Sequence, residues 1–410
     1  MAPTGHTIDL RDAVRMQGPV AFQVMVKPVG PRCNLHCSYC YYPDGSGRSG
    51  APVHPMSDVL LEKLIRETIE ANEIQEVTFT WHGGEPLLAG LDFFRRAVAL
   101  QKRHAGGKRI VNTLQTNGTL LTADWAAFFR DNGFLVGLSL DGPEDIHDRF
   151  RADRGGHPTF SRVMRGLELL HRAGVAFNTL TTVNVRSEGR GAEVYRFLRG
   201  VGSRYLQLLP VAEPDGRAFN VSATGFGQFL CDVFDLWVRS DVGETFVSQF
   251  DAALCSWCGL PAGTCVYGRT CADVLTVECN GDVYACDHFA DAAHRLGNLS
   301  QASLSELFAQ SCRVQFVTDK MNTLPGECRR CPWLPACGGE CPQHRFTVGP
   351  DGSPGHNALC RGYRLFFAHA APYLDRMRSL LDEGRAPAEI MSMIPPASSG
   401  TGAESVPSWP

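Results

Sequence analysis

The chain has 410 residues, of which 44% are apolar and 20% are charged, with a formal net charge of −4. These values are typical of a soluble globular protein, and the weak negative charge gives no reason to expect a nucleic-acid partner. Residues 1–20 contain no continuous apolar stretch. We therefore expect no signal peptide, no membrane partner and a cytoplasmic location.

Strand and helix patterns alternate between residues 20 and 240. Strands are predicted at 22–29, 76–81, 110–115, 135–140, 177–183 and 205–210. Helices are predicted at 57–73, 91–104, 123–132, 162–173, 193–202 and 227–238, the first with Ser57 or Asp58 near its N-cap. Strands separated by helices imply parallel pairing with right-handed crossovers. The fold class is therefore α/β, either a doubly wound sheet or a partial (β/α)6 barrel.

Short motifs follow four of these strands. Cys33–Cys40 follows the first strand, Gly83–Pro86 the second, Thr116–Gly118 the third and Asp141–Pro143 the fourth. The carboxyl ends of parallel strands collect functional groups in both candidate folds. We expect the four motifs to surround one mouth.

The 16 cysteines are unevenly distributed along the chain. Three lie between residues 33 and 40, none between 41 and 230, and thirteen between 231 and 360. A reducing cytoplasm disfavours disulfides, so thiols in this number indicate metal ligands. The distribution predicts two metal regions separated by a cysteine-free scaffold.

Four segments are predicted from these patterns. They are an N-terminal extension at 1–20, an α/β domain at 21–245, a small cysteine-rich domain at 246–370, and a helix followed by a disordered tail at 371–410. The third segment has few periodic stretches, which is typical of a domain held together by metal. The tail is rich in Pro, Ser and Gly from about residue 386.

The first cysteine motif places Cys33, Cys37 and Cys40 within eight residues of one loop. Three thiolates leave one iron of a 4Fe–4S cluster without a protein ligand, so that a substrate can chelate it. The alternative is a structural zinc site with His36 or His54 as the fourth ligand. The motif resembles the signature of the radical S-adenosylmethionine (SAM) superfamily, including the aromatic Tyr39 before the last cysteine. That resemblance implies SAM bound at the open iron and cleaved to a 5′-deoxyadenosyl radical.

The same resemblance implies further contacts to SAM. Gly84 lies in a sequence similar to the family's GGEP motif, whose backbone meets the SAM amino group. Ser139 and Arg151 resemble the family's contacts to the SAM ribose and carboxylate. Ala212 stands where an adenine contact is expected. Each could instead be an ordinary turn or loop residue.

The C-terminal cysteines resemble a SPASM domain, an extension that carries two auxiliary 4Fe–4S clusters. The resemblance assigns Cys265, Cys271, Cys286 and Cys341 to the first auxiliary cluster. It assigns Cys328, Cys331, Cys337 and Cys360 to the second. Two structural zinc sites are the alternative. The expected cofactors are three 4Fe–4S clusters and SAM, in a partial (β/α)6 barrel followed by the SPASM domain.

Four longer segments carry a closer resemblance. They read FTWHGGEPLLAGLDFF, LQTNGTLLTADWAAFFRDNGFLVGLSLDGPEDIHDRFR, GDVYACDHFADAAHRLGNL and CRRCPWLPACGGECPQHR. These segments are similar to anaerobic sulfatase-maturating enzymes, in register over about residues 20–370. The resemblance implies a radical SAM oxidoreductase that converts one Cys or Ser of a sulfatase polypeptide to Cα-formylglycine, by hydrogen abstraction from Cβ.

Asp287 takes its predicted role from the same resemblance. In this family an aspartate directly after an auxiliary-cluster cysteine acts as the catalytic base, and Asp287 follows Cys286. After hydrogen abstraction, losing the S–H or O–H proton makes the second electron easier to remove, and a carboxylate within hydrogen-bond reach is a usual base. The alternative is that Asp287 is a turn residue or accepts hydrogen bonds from loop amides.

The substrate side of the prediction has open points. Tyr42 matches a family tyrosine near SAM and the substrate. His82 stands where close relatives can carry Gln, which leaves the choice between Cys and Ser substrates open. The expected partners are a sulfatase polypeptide and an external one-electron reductant of the flavodoxin or ferredoxin type.

Two other functions compete with maturation. One is a SPASM radical SAM enzyme that modifies or crosslinks a ribosomally made peptide. Many such enzymes carry an N-terminal peptide-recognition domain, whereas the first strand here is predicted near residue 22. The other is a non-catalytic scaffold that binds zinc at all three cysteine sites.

Overall fold

The computed structural model describes residues 19–42, 54–214 and 216–394. The predicted N-terminal extension lies outside these residues up to residue 18, and the tail lies outside them from residue 395. Disorder was predicted from about residue 386, and for residues 387–392 that prediction is wrong: Pro387–Ser392 form a 3₁₀ helix in which Ile390 is fully buried. The first strand is β1, Gln23–Lys27, and the first helix is α1, Asp58–Ala71.

The remaining strands are β2 Glu76–Trp81, β3 Arg109–Thr116, β4 Leu135–Ser139, β5 Phe177–Val183, β6 Tyr205–Pro210, β7 Phe246–Val247, β8 Val274–Glu278, β9 Asp282–Tyr284, β10 Arg295–Asn298, β11 Thr347–Val348 and β12 Pro354–His356. The remaining α-helices are α2 Leu91–His104, α3 Ala123–Asp131, α4 Glu144–Phe150, α5 Phe160–Ala173, α6 Gly191–Gly200, α7 Ala223–Ser240, α8 Ser248–Trp257, α9 Leu304–Phe308, α10 Ser311–Asn322, α11 Gly326–Arg329, α12 Leu334–Cys337 and α13 Cys360–Asp382. Short 3₁₀ helices occur at Pro86–Ala89, Val185–Ser187, Ala292–His294, Pro342–His344 and Pro387–Ser392.

The alternation of strands and helices predicted for residues 20–240 is confirmed, and with it the α/β class. Each strand from β1 to β6 is followed along the chain by at least one helix. The predicted first strand ends two residues early because Pro28 has no N–H to donate and a turn begins there, within which Gly30 adopts φ 57°. Ser57 caps α1 as expected, since its side chain accepts a hydrogen bond from the Leu60 amide.

The chain divides into two compact units. The first contains 1–140, 144–180 and 270–322, and the second contains 141–143, 181–269 and 323–410, insofar as these residues are described. Both units combine residues that are distant in sequence, and the segment boundaries expected from the sequence stay a prediction. No helix among the described residues is long and apolar enough to cross a membrane.

The first unit is built on a largely parallel sheet. Its strands are ordered β10-β9-β8-β1-β2-β3-β4-β5, and β1 to β5 are parallel to their neighbours. Strand β8 comes from the cysteine-rich part of the chain, yet it pairs in parallel with β1. Strands β9 and β10 continue the sheet in antiparallel pairing. The sequence did not predict this extension, and it brings residues from two distant segments together.

The second unit is dominated by helices. Helices α7 and α13 pack closely because each has a glycine at the point where the two helices cross. A Cβ on Gly362 would lie 2.0 Å from the Ala223 carbonyl oxygen, and one on Gly227 would lie 2.5 Å from the Gly362 carbonyl oxygen. Only glycine permits this approach of the two backbones. The unit also contains the parallel pair β6 and β7 and the antiparallel pair β11 and β12.

Candidate active site

The Cys33–Cys40 loop follows β1 and is held by the segment after α4. The His36 amide donates to the Ala152 carbonyl at 2.8 Å, and the Ser38 amide donates to the Phe150 carbonyl at 2.9 Å. The Arg154 side chain donates to the Cys33 carbonyl at 2.9 Å. These bonds fix a loop that has no regular secondary structure of its own.

The three thiols of this loop lie close enough to affect each other. Burial, with smaller contributions from the charges of Glu85, Cys37 and Cys40, raises the pKa of Cys33 to about 12. Burial also raises the pKa of Cys40, so this loop is a poor environment for free thiolates. A bound metal cluster supplies the positive charge that would stabilise all three. The loop therefore fits a metal group.

The glycine pair after β2 packs directly against this loop. A Cβ on Gly84 would lie 2.1 Å from the Arg32 carbonyl oxygen. Gly83 adopts φ 119°, and a Cβ there would lie 2.8 Å from the Gly30 carbonyl oxygen. The Gly84 amide donates to the Gly30 carbonyl at 2.8 Å. Glycine is required at both positions because the two backbones touch.

A buried carboxylate joins the second and third motifs. Glu85 has no exposed surface and accepts hydrogen bonds from the Thr116 hydroxyl and the Asn117 amide, each at 2.8 Å. Burial raises the pKa of Glu85 to about 7, although these hydrogen bonds oppose the shift. The Asn117 side chain then donates to the Asn34 side chain at 2.9 Å. Three of the four expected motifs are thus brought together, while Asp141–Pro143 belongs to the second unit.

The other residues expected to contact SAM are placed as follows. The Arg151 guanidinium lies 5.4 Å from the centre of the Tyr39 ring, and Arg151 is 8% exposed. Ser139 ends β4, and its hydroxyl accepts a hydrogen bond from the Gln115 side chain at 2.9 Å. Ala212 is buried in the second unit. The roles of these residues stay predictions.

Asp287 belongs to a cluster of buried charges in the first unit. Its carboxylate pairs through Oδ1 with the Lys27 ammonium, and its Oδ2 accepts a hydrogen bond from the Tyr41 hydroxyl at 3.1 Å. Lys27 Nζ also lies 3.5 Å from Glu278 Oε1. The side chain of Lys27 is 0% exposed, that of Asp287 11% and that of Glu278 16%. One ammonium is therefore shared by two carboxylates away from water.

The electrostatics of this cluster keep Asp287 ionised. Burial by itself would raise the pKa of Asp287, but the Lys27 ammonium and smaller contributions in the same direction together outweigh burial, and the pKa lies below its usual range. His82 and His288 act in the same direction as Lys27. Burial, followed by the charge of Asp287, raises the pKa of Tyr41 well above its usual value, so its hydroxyl keeps the proton that it donates.

Sequence reasoning missed Lys27, Glu278 and Tyr41. Lys27 and Glu278 are paired in the register of β1 and β8, and no local pattern predicts that pairing. The one signal in the sequence is the lysine that ends the apolar segment QVMVK. A lysine in a buried strand indicates a charged partner, because lysine is almost never fully buried unless it is paired.

The second unit brings together the four cysteines expected to hold the second auxiliary cluster. Cys328, Cys331, Cys337 and Cys360 line one cavity that contains about 400 Å³ of space free of protein atoms. Aromatic rings form much of the remaining wall, from Trp333, Tyr363 and Phe367. Four thiols around an apolar cavity form a donor set that suits a cubane cluster.

A buried carboxylate lies in the cysteine-rich segment that contributes to this wall. Glu340 is 1% exposed and adopts φ 54°, a conformation uncommon for residues other than glycine. It accepts hydrogen bonds from the Asn357 side chain and, at 3.4 Å, from the Tyr363 hydroxyl. The His344 ring nitrogen lies 3.0 Å from the same carboxylate. Burial lowers the pKa of His344, but Glu340 outweighs this and the pKa is raised.

The first auxiliary set is divided between the units. Cys271 and Cys286 lie in the first unit, whereas Cys265 and Cys341 lie in the second. That these four hold one cluster stays a prediction. Among the described residues, no group of three or more His, Cys, Asp or Glu side chains is arranged to hold a single metal ion.

Comparison with protein families gives two matches along the chain. The radical SAM superfamily matches residues 28–198. An iron–sulfur cluster-binding domain, SPASM, matches residues 265–332. The first match contains the Cys33–Cys40 loop and the second contains Cys286. The chain is therefore a radical SAM protein with a SPASM domain.

Comparison with individual proteins gives relatives over most of the chain. A serine-type anaerobic sulfatase-maturating enzyme of Bacteroides thetaiotaomicron is 43% identical over 391 residues, covering 90% of this chain and 94% of the relative. A cysteine-type anaerobic sulfatase-maturating enzyme of Clostridium perfringens is 34% identical over 361 residues, covering 86% and 96%. The solved structure of native anSMEcpe with bound AdoMet and Cp18Cys peptide is 31% identical, with a TM-score of 0.79, and the match covers 87% of this chain and 99% of that one.

Proposed function

Since the chain belongs to the family of anaerobic sulfatase-maturating enzymes, we propose that it oxidises one Ser or Cys of a sulfatase polypeptide to Cα-formylglycine (3-oxoalanine). The observation that carries this proposal is the Asp287 carboxylate, buried beside Lys27 and directly after Cys286. Family membership supports sulfatase maturation, and the carboxylate supplies the group that the oxidation needs. A peptide substrate fits because the related anSMEcpe binds one.

The proposal assigns the cofactors to three groups of cysteines. Cys33, Cys37 and Cys40 would hold the cluster that binds SAM. Cys265, Cys271, Cys286 and Cys341 would hold the first auxiliary cluster, and Cys328, Cys331, Cys337 and Cys360 the second. When bound, these clusters and SAM supply the radical that takes a hydrogen atom from the substrate Cβ and the acceptor for the second electron. The cavity lined by the last four thiols supports this assignment.

Five residues would hold SAM beside the first cluster. They are Tyr39, Gly84, Ser139, Arg151 and Ala212. Gly84 is supported by its backbone contact with the loop that carries the three cysteines. Arg151 is supported by its position over the Tyr39 ring, from which a guanidinium can reach a carboxylate.

Asp287 would remove the substrate's hydroxyl or thiol proton. Removing the Cβ hydrogen and this proton, together with one electron, converts a serine side chain to an aldehyde. With a cysteine side chain the same steps give a thioaldehyde, which water then hydrolyses with release of sulfide. The carboxylate is suited to the task because Lys27 keeps it ionised in a site that excludes most water.

Serine is the favoured target residue. The chain is more similar to the serine-type relative than to the cysteine-type relative. His82 lies near Asp287, and its Nδ1 is buried without a hydrogen-bond partner among the described residues. Burial lowers the pKa of His82, so its neutral ring is available to a substrate hydroxyl.

The external electron donor would be a flavodoxin or a ferredoxin. Reduction of a low-potential cluster requires such a one-electron carrier. A reducing cytoplasm suits a chain whose described cysteines form no disulfide. Both points extend the proposal beyond the family assignment.

The runner-up function is the modification or crosslinking of a ribosomally made peptide. One experiment separates the two. The anaerobically reconstituted chain is incubated with SAM, dithionite and two peptides that carry Ser or Cys in an x-Pro-x-Arg context. Maturation gives an aldehyde on both peptides, with the Ser peptide favoured. A crosslinked peptide without an aldehyde would support the runner-up instead.

The role of Asp287 is tested in the same assay. Asp287→Asn keeps the size of the side chain and removes its ability to accept the proton. We expect unchanged iron content and 5′-deoxyadenosine formation, with about 100-fold less aldehyde. Asp291→Asn, at a partly exposed turn in the same loop, is the matched control and should behave as wild type. Aldehyde formation at the wild-type rate in Asp287→Asn would remove the base from the proposal.

A further inference from the structure

Lys27 is a fully buried lysine whose ammonium faces two carboxylates. It ends the apolar strand β1, and its side chain is 0% exposed. Burying a lysine is costly unless the charge is paired. Asp287 alone would pair it, yet Glu278 also lies 3.5 Å from the ammonium. Two carboxylates are more than the pairing of one lysine requires, which indicates a role beyond stability.

We propose that Lys27 and Glu278 are positioning residues that hold the Asp287 carboxylate at the reacting substrate. This inference rests on the proposed function, because it is Asp287 that would meet the substrate proton. Lys27 holds one oxygen of the carboxylate, and Glu278 holds Lys27. Neither residue needs to touch the substrate.

The backbone fixes the positions of Lys27 and Glu278 relative to each other. Lys27 and Glu278 are direct partners in the parallel register of β1 and β8. Val24, Val26, Leu275 and Val277 of the two strands are all fully buried. A slip of this register would expose those side chains, so the Lys27–Glu278 pair sits on a rigid part of the sheet.

Asp287, in contrast, stands on a loop. It follows β9 by three residues and precedes the exposed His288. Its position depends on side-chain contacts, with Lys27 at Oδ1 and the Tyr41 hydroxyl at Oδ2. Lys27 therefore holds a loop residue in a fixed position relative to the sheet. A displacement of about 1 Å in a catalytic group can lower a rate by about 100-fold.

The rings of Tyr41 and Tyr42 also lie against the Lys27 ammonium. Lys27 Nζ lies 4.8 Å from the centre of the Tyr42 ring and 5.8 Å from that of Tyr41. Both distances are within the range of cation–π attraction. Two carboxylates and two rings leave the ammonium a single favourable position.

The arrangement also explains the second carboxylate. If Lys27 had only Asp287, any movement of the loop that carries Asp287 would leave a buried ammonium without a partner. With Glu278 in place the ammonium keeps a partner throughout, so Lys27 does not have to move during turnover. Burial raises the pKa of Glu278, while the charge of Lys27 opposes that shift.

A double-mutant cycle tests the proposal. The variants are Lys27→Met, which keeps the chain length without the charge, Asp287→Asn, and the two combined. Iron content, 5′-deoxyadenosine formation and peptide dissociation constant are measured beside aldehyde yield. We expect Lys27→Met to leave those three values unchanged and to lower the aldehyde formed per 5′-deoxyadenosine by about tenfold or more. In the Asp287→Asn background the same substitution should have no further effect.

The controls separate positioning from stability. Lys63, which forms a partly exposed ion pair with Glu67 at 3.6 Å on α1, gives the matched variant Lys63→Met, which should behave as wild type. Glu278→Gln keeps Lys27 charged and removes its second anchor, and should lower the aldehyde ratio by about threefold. If Lys27→Met does not accumulate as folded protein, a second cycle combines Glu278→Gln with Asp287→Asn. Its criterion is the same: Glu278→Gln should lower the aldehyde formed per 5′-deoxyadenosine in the wild type and have no further effect in Asp287→Asn.

Each outcome points to one conclusion. A loss of aldehyde that is independent of Asp287, or a wild-type ratio in Lys27→Met, would overturn the positioning role and leave the proposed function intact. A wild-type ratio in Asp287→Asn would instead remove Asp287 as the base, whatever Lys27 does. Loss in both single variants with no further loss in the double variant supports the proposal.

Discussion

The two cysteine-rich regions of the molecule differ in what surrounds the thiols. In the first unit the Cys33–Cys40 loop lies on polar supports, with buried Glu85 behind it and the charges of Lys27 and Asp287 in the same unit. In the second unit four thiols face a mainly apolar cavity with three aromatic rings in its wall, although Glu327, His356 and Arg364 also line it. Polar groups can bind and orient a reacting molecule, whereas an apolar wall excludes water from a metal group.

Under the proposed function, this contrast would separate the chemical step from the supporting electron chemistry. In the proposed function the first region would offer the Asp287 carboxylate and the His82 ring to a substrate. The second region offers four donors and no open position, as expected for a cluster that only exchanges electrons. Two predictions test whether the two regions are independent in this way, and two more test the groups that support each region.

The largest effect is expected from replacing the first set of thiols. The triple variant Cys33→Ala, Cys37→Ala and Cys40→Ala should abolish 5′-deoxyadenosine formation, because no iron remains to bind SAM. Of about twelve irons per chain, about four should be lost. Iron analysis and chromatography of the nucleoside products provide the readout. Continued SAM cleavage by this variant would mean that another group performs it.

The second prediction concerns the cavity of the second unit. Cys331→Ala should cost about four irons per chain, while SAM cleavage continues and aldehyde yield falls about 10- to 100-fold. The exposed Cys312 provides the control variant Cys312→Ala, which should keep all its iron. If Cys331→Ala stops SAM cleavage as completely as the triple variant, the two regions are not independent.

The third prediction concerns the polar support behind the first loop. In Glu85→Gln an NH₂ group replaces one carboxylate oxygen, which in the wild type accepts a hydrogen bond from the Thr116 hydroxyl or the Asn117 amide. Two hydrogen-bond donors then face each other in a buried place. We expect a loss of about 1–3 kcal/mol in the free energy of unfolding. Denaturant unfolding of the cluster-free protein measures it, with Glu62→Gln on the partly exposed face of α1 as the control. Equal stability of both variants would show that Glu85 does not support the motif.

The smallest effect is expected at the wall of the second cavity. Tyr363→Phe removes a hydroxyl that donates to Glu340 at 3.4 Å, while Asn357 and His344 still contact that carboxylate. The free energy of unfolding should fall by only about 0.5 kcal/mol. Iron content and aldehyde yield should stay at wild-type values. A larger loss of either would give this tyrosine a role at the cluster itself.

Local patterns were sufficient for the parts of the site that are contiguous in sequence. The spacing of Cys33, Cys37 and Cys40 and the glycine pair at 83 and 84 can be read without a structure, because their geometry is set within a few residues. The strands from β1 to β6 follow from periodicity for the same reason. The resemblance to a known family then named Cys328, Cys331, Cys337 and Cys360, which the structure places around one cavity.

The buried charges could not be predicted because they depend on distant pairing. Strand β8 comes from the cysteine-rich segment, and nothing in VLTVE specifies β1 as its neighbour. The Lys27–Glu278 pair and the contact with Asp287 exist only once that pairing forms. Glu340 is similar, since its partners Asn357 and Tyr363 lie on later segments.

The central claim is that Asp287 and the radical generated from SAM act on the same substrate side chain, the radical on a hydrogen of Cβ and Asp287 on the proton of the hydroxyl or thiol. Its most direct test uses a serine peptide labelled with deuterium at Cβ, incubated with the reconstituted enzyme, SAM and a reductant. The account predicts that deuterium appears in 5′-deoxyadenosine in the wild type and in Asp287→Asn, and that only the wild type forms the aldehyde in quantity. Unlabelled 5′-deoxyadenosine beside a full yield of aldehyde would contradict it.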